Sequence, residues 1–72
     1  MSGLKKRSVD IEGHRTSISL EEPFWDALKA LAQKRGVTLN DLIAGIDGAR
    51  RGGLSSAVRL FVLAELRKAA GL

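Results

Sequence analysis

The sequence predicts a small, mainly helical fold with one N-terminal strand, whose core is completed by a second copy of the chain. Three observations lead there. Residues 14–21 alternate between apolar and polar side chains, and three later segments repeat apolar residues at helical spacing. The third is length: a chain of 72 residues buries only about 60% of the surface its unfolded form exposes. Short chains add disulfides, a metal or a partner subunit. The absence of cysteine and the single histidine, His14, exclude a disulfide framework and a paired-histidine metal site within one chain. Oligomerisation remains, and neither metal nor cofactor is expected.

The strand comes first. Thr16, Ile18 and Leu20 fall on one side and Arg15, Ser17, Ser19 and Glu21 on the other, the period-two pattern of a half-buried strand. Pro23 closes it and suits the first turn of a helix, where its missing N–H costs nothing. Glu21, Glu22 and Asp26 place negative charge at that helix's positive end. The first helix is expected from about residue 22 to 35, with Phe24, Leu28, Leu31 and Ala32 as its apolar stripe. Gly36 is its left-handed cap. Trp25, one step off the stripe, is read as a packing residue at the ribbon–helix junction.

Thr38 caps a second helix, with Asp41 in the place of the capping-box acid. Leu39, Leu42, Ile43 and Ile46 form its stripe, and Gly45 and Gly48 each weaken it by about 1 kcal/mol relative to alanine. Arg50-Arg51-Gly52-Gly53 ends it as a loop. Ser55 or Ser56 then caps a third helix running from about 55 to 70. Val58, Leu60, Phe61, Val62, Leu63 and Leu66 make this helix apolar nearly all round, so it is expected to lie between subunits.

Residues 7–12 break the pattern. Val9 and Ile11 alternate on odd numbers, whereas Thr16, Ile18 and Leu20 alternate on even ones. One flat strand cannot bury both sets, because a one-residue slip exchanges the faces. Either Gly13 forms a β-bulge in a long ribbon, or Glu12-Gly13 turns a small hairpin. The bulge is preferred.

The net charge of +4 is spread unevenly. Residues 1–15 hold four bases and two acids, residues 16–49 three and five, and residues 50–72 five and one. Basic ends around an acidic middle are compatible with a polyanion partner. No apolar run approaches the roughly 18 residues of a membrane span, and acids follow Lys5-Lys6-Arg7 where a signal peptide needs an apolar stretch. A cytoplasmic protein is expected. With one histidine and no cysteine, no base stands beside a serine to activate it, and an enzyme is not expected.

Arg15-Thr16-Ser17-Ile18-Ser19-Leu20, then Pro23-Phe24-Trp25, then Arg35-Gly36-Val37-Thr38-Leu39-Asn40, resembles the ribbon-helix-helix family that includes the Arc and methionine repressors. Gly13-His14-Arg15, the Ile46-Asp47-Gly48-Ala49-Arg50 break and Leu54-Ser55-Ser56-Ala57-Val58-Arg59 resemble a bacterial subfamily of uncharacterised ribbon-helix-helix proteins, over nearly the whole chain. The resemblance implies an intertwined homodimer in which one strand from each subunit pairs antiparallel, plus an extra C-terminal helix. The domain then spans residues 14–72, and residues 1–13 form a basic arm or an extension of the ribbon.

It further implies that Arg15, Ser17 and Ser19 contact base edges in the major groove. The start of the second helix, Thr38, Leu39 and Asn40, would hold a DNA phosphate, as helix N-termini do on physical grounds. Lys5, Lys6 and Arg7 are assigned to phosphates as the arm, and Arg50 and Arg51 are weaker candidates. The dimer core would comprise Ile18, Leu20, Phe24, Leu28, Leu42, Ile43, Ile46 and Phe61. Three features depart from the family. Glu21 stands where a basic or amide residue is common, Ser17 and Ser19 discriminate weakly between bases, and the third helix after Gly53 is not part of the minimal family fold. The expected function is a DNA-binding repressor, nucleoid-associated when bound. The alternative is an antitoxin-like or adaptor module whose third helix binds a protein partner.

Overall fold

The computed structural model describes residues 3–49 and 52–72. Two strands, β1 (Leu4–Ile11) and β2 (His14–Glu21), precede three helices, α1 (Glu22–Arg35), α2 (Leu39–Ala49) and α3 (Leu54–Ala70). The strands form a two-stranded antiparallel sheet.

The change of phase at Gly13 is a hairpin turn, not the preferred bulge. Glu12 and Gly13 have φ of 50° and 82°, and positive φ at both central residues is the requirement of a type I′ turn. The register that follows pairs Val9 with Thr16, Arg7 with Ile18 and Lys5 with Leu20. Odd residues of β1 therefore lie opposite even residues of β2, and residues directly opposite share a face of the sheet. Val9 and Ile11 join Ile18 and Leu20 in the core. Within the chain, β1 thus pairs with one edge of β2.

The helices cover the inner face of this ribbon, with α2 against β1, and α1 and α3 against β2. Pro23 lies in the first turn of α1, and Gly36 ends that helix with φ of 71°. The N–H groups of Gly36 and Val37 close back on the carbonyls of Gln33 and Ala32 at 3.1 and 3.0 Å, which satisfies the last carbonyls. Thr38 Oγ1 accepts the Asp41 N–H at 3.0 Å and starts α2. Neither Ser55 nor Ser56 caps α3. Gly53 takes that place in extended conformation without a side-chain bond, as glycine tolerates.

Trp25, Leu28 and Ala32 are the buried stripe of α1, with Phe24 and Leu31 half-buried beside it. Trp25 is fully buried because its ring sits under the ribbon, where Nε1 donates to the Lys5 carbonyl at 2.9 Å. A buried indole requires such an acceptor. From α3 only Val58 and Val62 are fully covered. Among the described residues no helix is long and apolar enough to cross a membrane.

Candidate nucleic-acid interface

A two-stranded ribbon sealed on one face has the other free. Side chains alternate across the strands, so β1 turns Lys6, Ser8 and Asp10 outward, opposite Ser19, Ser17 and Arg15 of β2. Lys6, Ser8, Asp10, Arg15 and Ser17 are exposed, and Ser19 is half-buried. The three residues expected to contact bases therefore share one polar face, joined by residues of β1.

Arg15 is not a free cation on that face. Its Nε lies 3.4 Å from Asp10 Oδ1, and both side chains are largely exposed. Glu21, the acid that would repel a phosphate, is itself engaged. Arg59 of α3 donates from Nε to Glu21 Oε1 at 2.9 Å and from Nη2 to the Ser19 carbonyl at 3.5 Å. That hydrogen bond holds the Glu21 carboxyl below its ordinary value of 4.5. The guanidinium also sits 5.9 Å from the centre of the Phe24 ring.

The three bases assigned to an arm lie within β1 and separate by parity. Lys6 points outward, and no ion pair among the described residues engages it. Lys5 lies 3.8 Å from Glu22, with both side chains half-exposed. Arg7 is on the inner face, with its guanidinium 5.3 Å from the Trp25 ring centre. Its Nε is buried without a hydrogen-bond partner among the described residues. A cation packed on an indole is attracted by the ring face, so this position serves the fold rather than an exposed phosphate contact.

At the start of α2, Thr38 and Asn40 are exposed and Leu39 is half-buried. First-turn N–H groups lack intrahelical acceptors, which suits an anion, but Asp41 places a carboxylate in the same turn. Arg50 and Arg51 lie outside the described residues.

The profile of the family described as "Ribbon-helix-helix domain" matches residues 4–66. The chain belongs to the ribbon-helix-helix family. Domains of this family generally bind DNA as dimers and regulate transcription. No curated protein matches the sequence. Among solved structures, an uncharacterised protein from Bordetella pertussis Tohama I is similar, with a TM-score of 0.77 and 27% identity over 94% of this chain. This chain spans 60% of that protein's length.

In this ribbon-helix-helix chain the residues expected to form a dimer core are covered without a second subunit. Ile18, Leu20, Leu28, Leu42, Ile43 and Ile46 are buried within one chain, and Phe24 and Phe61 pack half-buried against them. The cover comes from β1 and α3 of the same chain, which pack against α2 and against β2, α1 and α2 respectively. What stays open is a different set. Leu60, Leu63 and Leu66 are 66%, 50% and 53% exposed on α3. An open groove of about 780 Å³ runs between α2 and α3, with Val37, Ile46, Ala57 and Leu60 among its walls. At its side Arg35 pairs with Glu65 at 2.9 Å and faces the Phe61 ring at 5.0 Å. The outward position of Ser8 was missed, yet Glu12-Gly13 carried the signal, because a two-residue turn fixes the parity of every pair.

Proposed function

We propose that this ribbon-helix-helix chain is a transcriptional repressor that lays its ribbon in the major groove of duplex DNA. The observation that carries the reading is the ribbon's division into an apolar face locked to the helices and an exposed face of small polar and charged side chains, Lys6, Ser8, Asp10, Arg15 and Ser17. A two-stranded ribbon fits the major groove of B-form DNA. Arg15, Ser17 and Ser19 contact base edges, while Thr38, Leu39 and Asn40 meet a phosphate at the start of α2. Lys5 and Lys6 add charge beside the strand. The engagement of Glu21 by Arg59 supports this, because it offsets the carboxylate that ends β2.

The protein acts as a cytoplasmic homodimer. Family membership supports this, and so do the leucines of α3, which would otherwise form an apolar patch in water. A second reading, an adaptor module that docks a different protein on α3, draws on the same exposed leucines.

Fluorescence anisotropy with the DNA upstream of the protein's own gene, at two salt concentrations, tests the proposal. Phosphate contacts release counterions, so affinity should fall steeply as salt rises. Failure to bind that DNA and arbitrary duplexes at low salt would leave the adaptor reading in its place.

A further inference from the structure

We infer that Trp25 is a positioning residue for DNA binding. From the first turn of α1 it holds the basic half of β1 in place, so that Lys5 and Lys6 meet backbone phosphates as fixed cations and not as a flexible arm. The inference rests on the DNA-binding reading above and goes beyond it in naming what positions the phosphate contacts.

Strand β1 has two unlike halves. Beside the turn, its inner-face residues Val9 and Ile11 are buried in the core. At the open end the inner-face positions are Lys5 and Arg7, which bring charge where the other half brings apolar surface. A two-stranded hairpin is marginally stable alone, and an end far from the turn is where local opening costs least. On the β2 side that end runs on into α1 and is fastened by Arg59. The β1 side has a different fastening.

The first turn of α1 supplies it. Trp25 Nε1 donates to the Lys5 carbonyl at 2.9 Å, and the Arg7 guanidinium lies 5.3 Å from the centre of the same ring. Glu22 stands 3.8 Å from Lys5 Nζ. Arg7 Nε is buried without a hydrogen-bond partner among the described residues, and the attraction of the ring face offsets that loss. One fully buried side chain thus grips residues 5 and 7. Lys6, between them, is turned outward and exposed, and no ion pair among the described residues holds it.

A cation on a loose strand must be ordered when it meets a phosphate, and that ordering is subtracted from what it adds to affinity. A cation already held in place loses little freedom on binding. A tryptophan that only filled the core would leave the contribution of the two lysines untouched, and this difference separates the two roles.

The test is a double-mutant cycle read by fluorescence anisotropy on an arbitrary duplex at two salt concentrations. Lys5→Gln with Lys6→Gln should weaken binding by the otherwise wild-type chain about tenfold at low salt, and flatten the slope of log affinity against log salt by up to about 1.8. In Trp25→Phe, which keeps an aromatic ring and loses the indole N–H, the same lysine pair should cost no more than about twofold. Circular dichroism melts establish that each variant is folded at the assay temperature. Where Trp25→Phe is not, Arg7→Met takes its place, since it lifts the cation from the ring and keeps an apolar stem, and the lysine effect should fall to about threefold. A lysine effect of equal size with and without the grip overturns this inference and leaves DNA binding standing, as does a wild-type chain indifferent to the lysine substitutions. A wild type that binds no duplex overturns both.

Discussion

The Arg59 guanidinium donates to the Glu21 carboxylate at 2.9 Å and so fastens α3 to the end of the ribbon. The bond also has a pH signature. The Arg59 hydrogen bond leads the causes that hold the Glu21 carboxyl below 4.5, and the Arg35 hydrogen bond leads those that lower Glu65. A depressed folded-state value means that stability is fully present above about pH 4.5 and is lost as pH falls through the lower folded values. The melting temperature should decline on acidification below that point. It should decline less steeply in Glu21→Gln, measured by circular dichroism. An identical acid limb in the variant would show that Glu21 contributes nothing to it.

Asp10 restrains Arg15, and its removal should strengthen contact with DNA. Asp10→Asn keeps the shape of the side chain but releases a cation on the outward face and deletes a charge that repels phosphate. Affinity for arbitrary duplex should rise several-fold at low salt, with a steeper salt dependence. Anisotropy titrations at two salt concentrations read both quantities. Equal or weaker binding would place the outward face away from DNA.

The turn offers a change in stability with no change of contact. Glu12 holds φ of 50°, a conformation that costs an ordinary L-residue roughly 1–2 kcal/mol and asparagine less. Asparagine followed by glycine is the favoured pair in a type I′ turn. Glu12→Asn should therefore stabilise the protein by up to about 1 kcal/mol. Gly13→Ala should destabilise it by about as much, since its φ of 82° disfavours any Cβ even though nothing lies within 4 Å of one. Urea unfolding of both variants checks the two signs.

Helix α3 has one face buried at Val58 and Val62 and another exposed at Leu60, Leu63 and Leu66. Truncation after Gly53 removes Val58 and Val62, both fully buried, and burying one such side chain contributes about 1.5–3 kcal/mol. The truncated chain should lose most of its stability and its hold on DNA. Leu60→Glu with Leu63→Glu, by contrast, changes only exposed positions and should leave the melt of the monomer little altered. If this face holds the proposed homodimer, light scattering should find the wild type dimeric and the double variant monomeric. A double variant that remains dimeric would move the interface off this face.

The legible parts of the fold were those written in short range. Period-two alternation fixed β2, and Pro23, Gly36 and Thr38 marked the ends of α1 and α2 because capping depends on neighbours within a few residues. The turn was present as one of two alternatives. Both explain a change of phase, and only the pairing of Val9 with Thr16 decides between them. Trp25 displaced Phe24 from the centre of the α1 stripe because the ribbon above it offers the Lys5 carbonyl, which helical spacing does not encode. The outward serines and Arg15 followed from alternation and a family resemblance. The Arg59–Glu21 contact did not, since it joins residues 38 apart through a packing that local pattern leaves undetermined.

Because β1 and β2 close on one another across Glu12 and Gly13, the ribbon arises in a unimolecular step. Hairpins form on a timescale of about 1–10 μs, and contacts close in sequence carry little loop-closure entropy. A ribbon shared between two chains would instead wait for their encounter and would melt on dilution. In this chain the β1–β2 ribbon is independent of concentration, and a few copies per cell suffice to display its outward face.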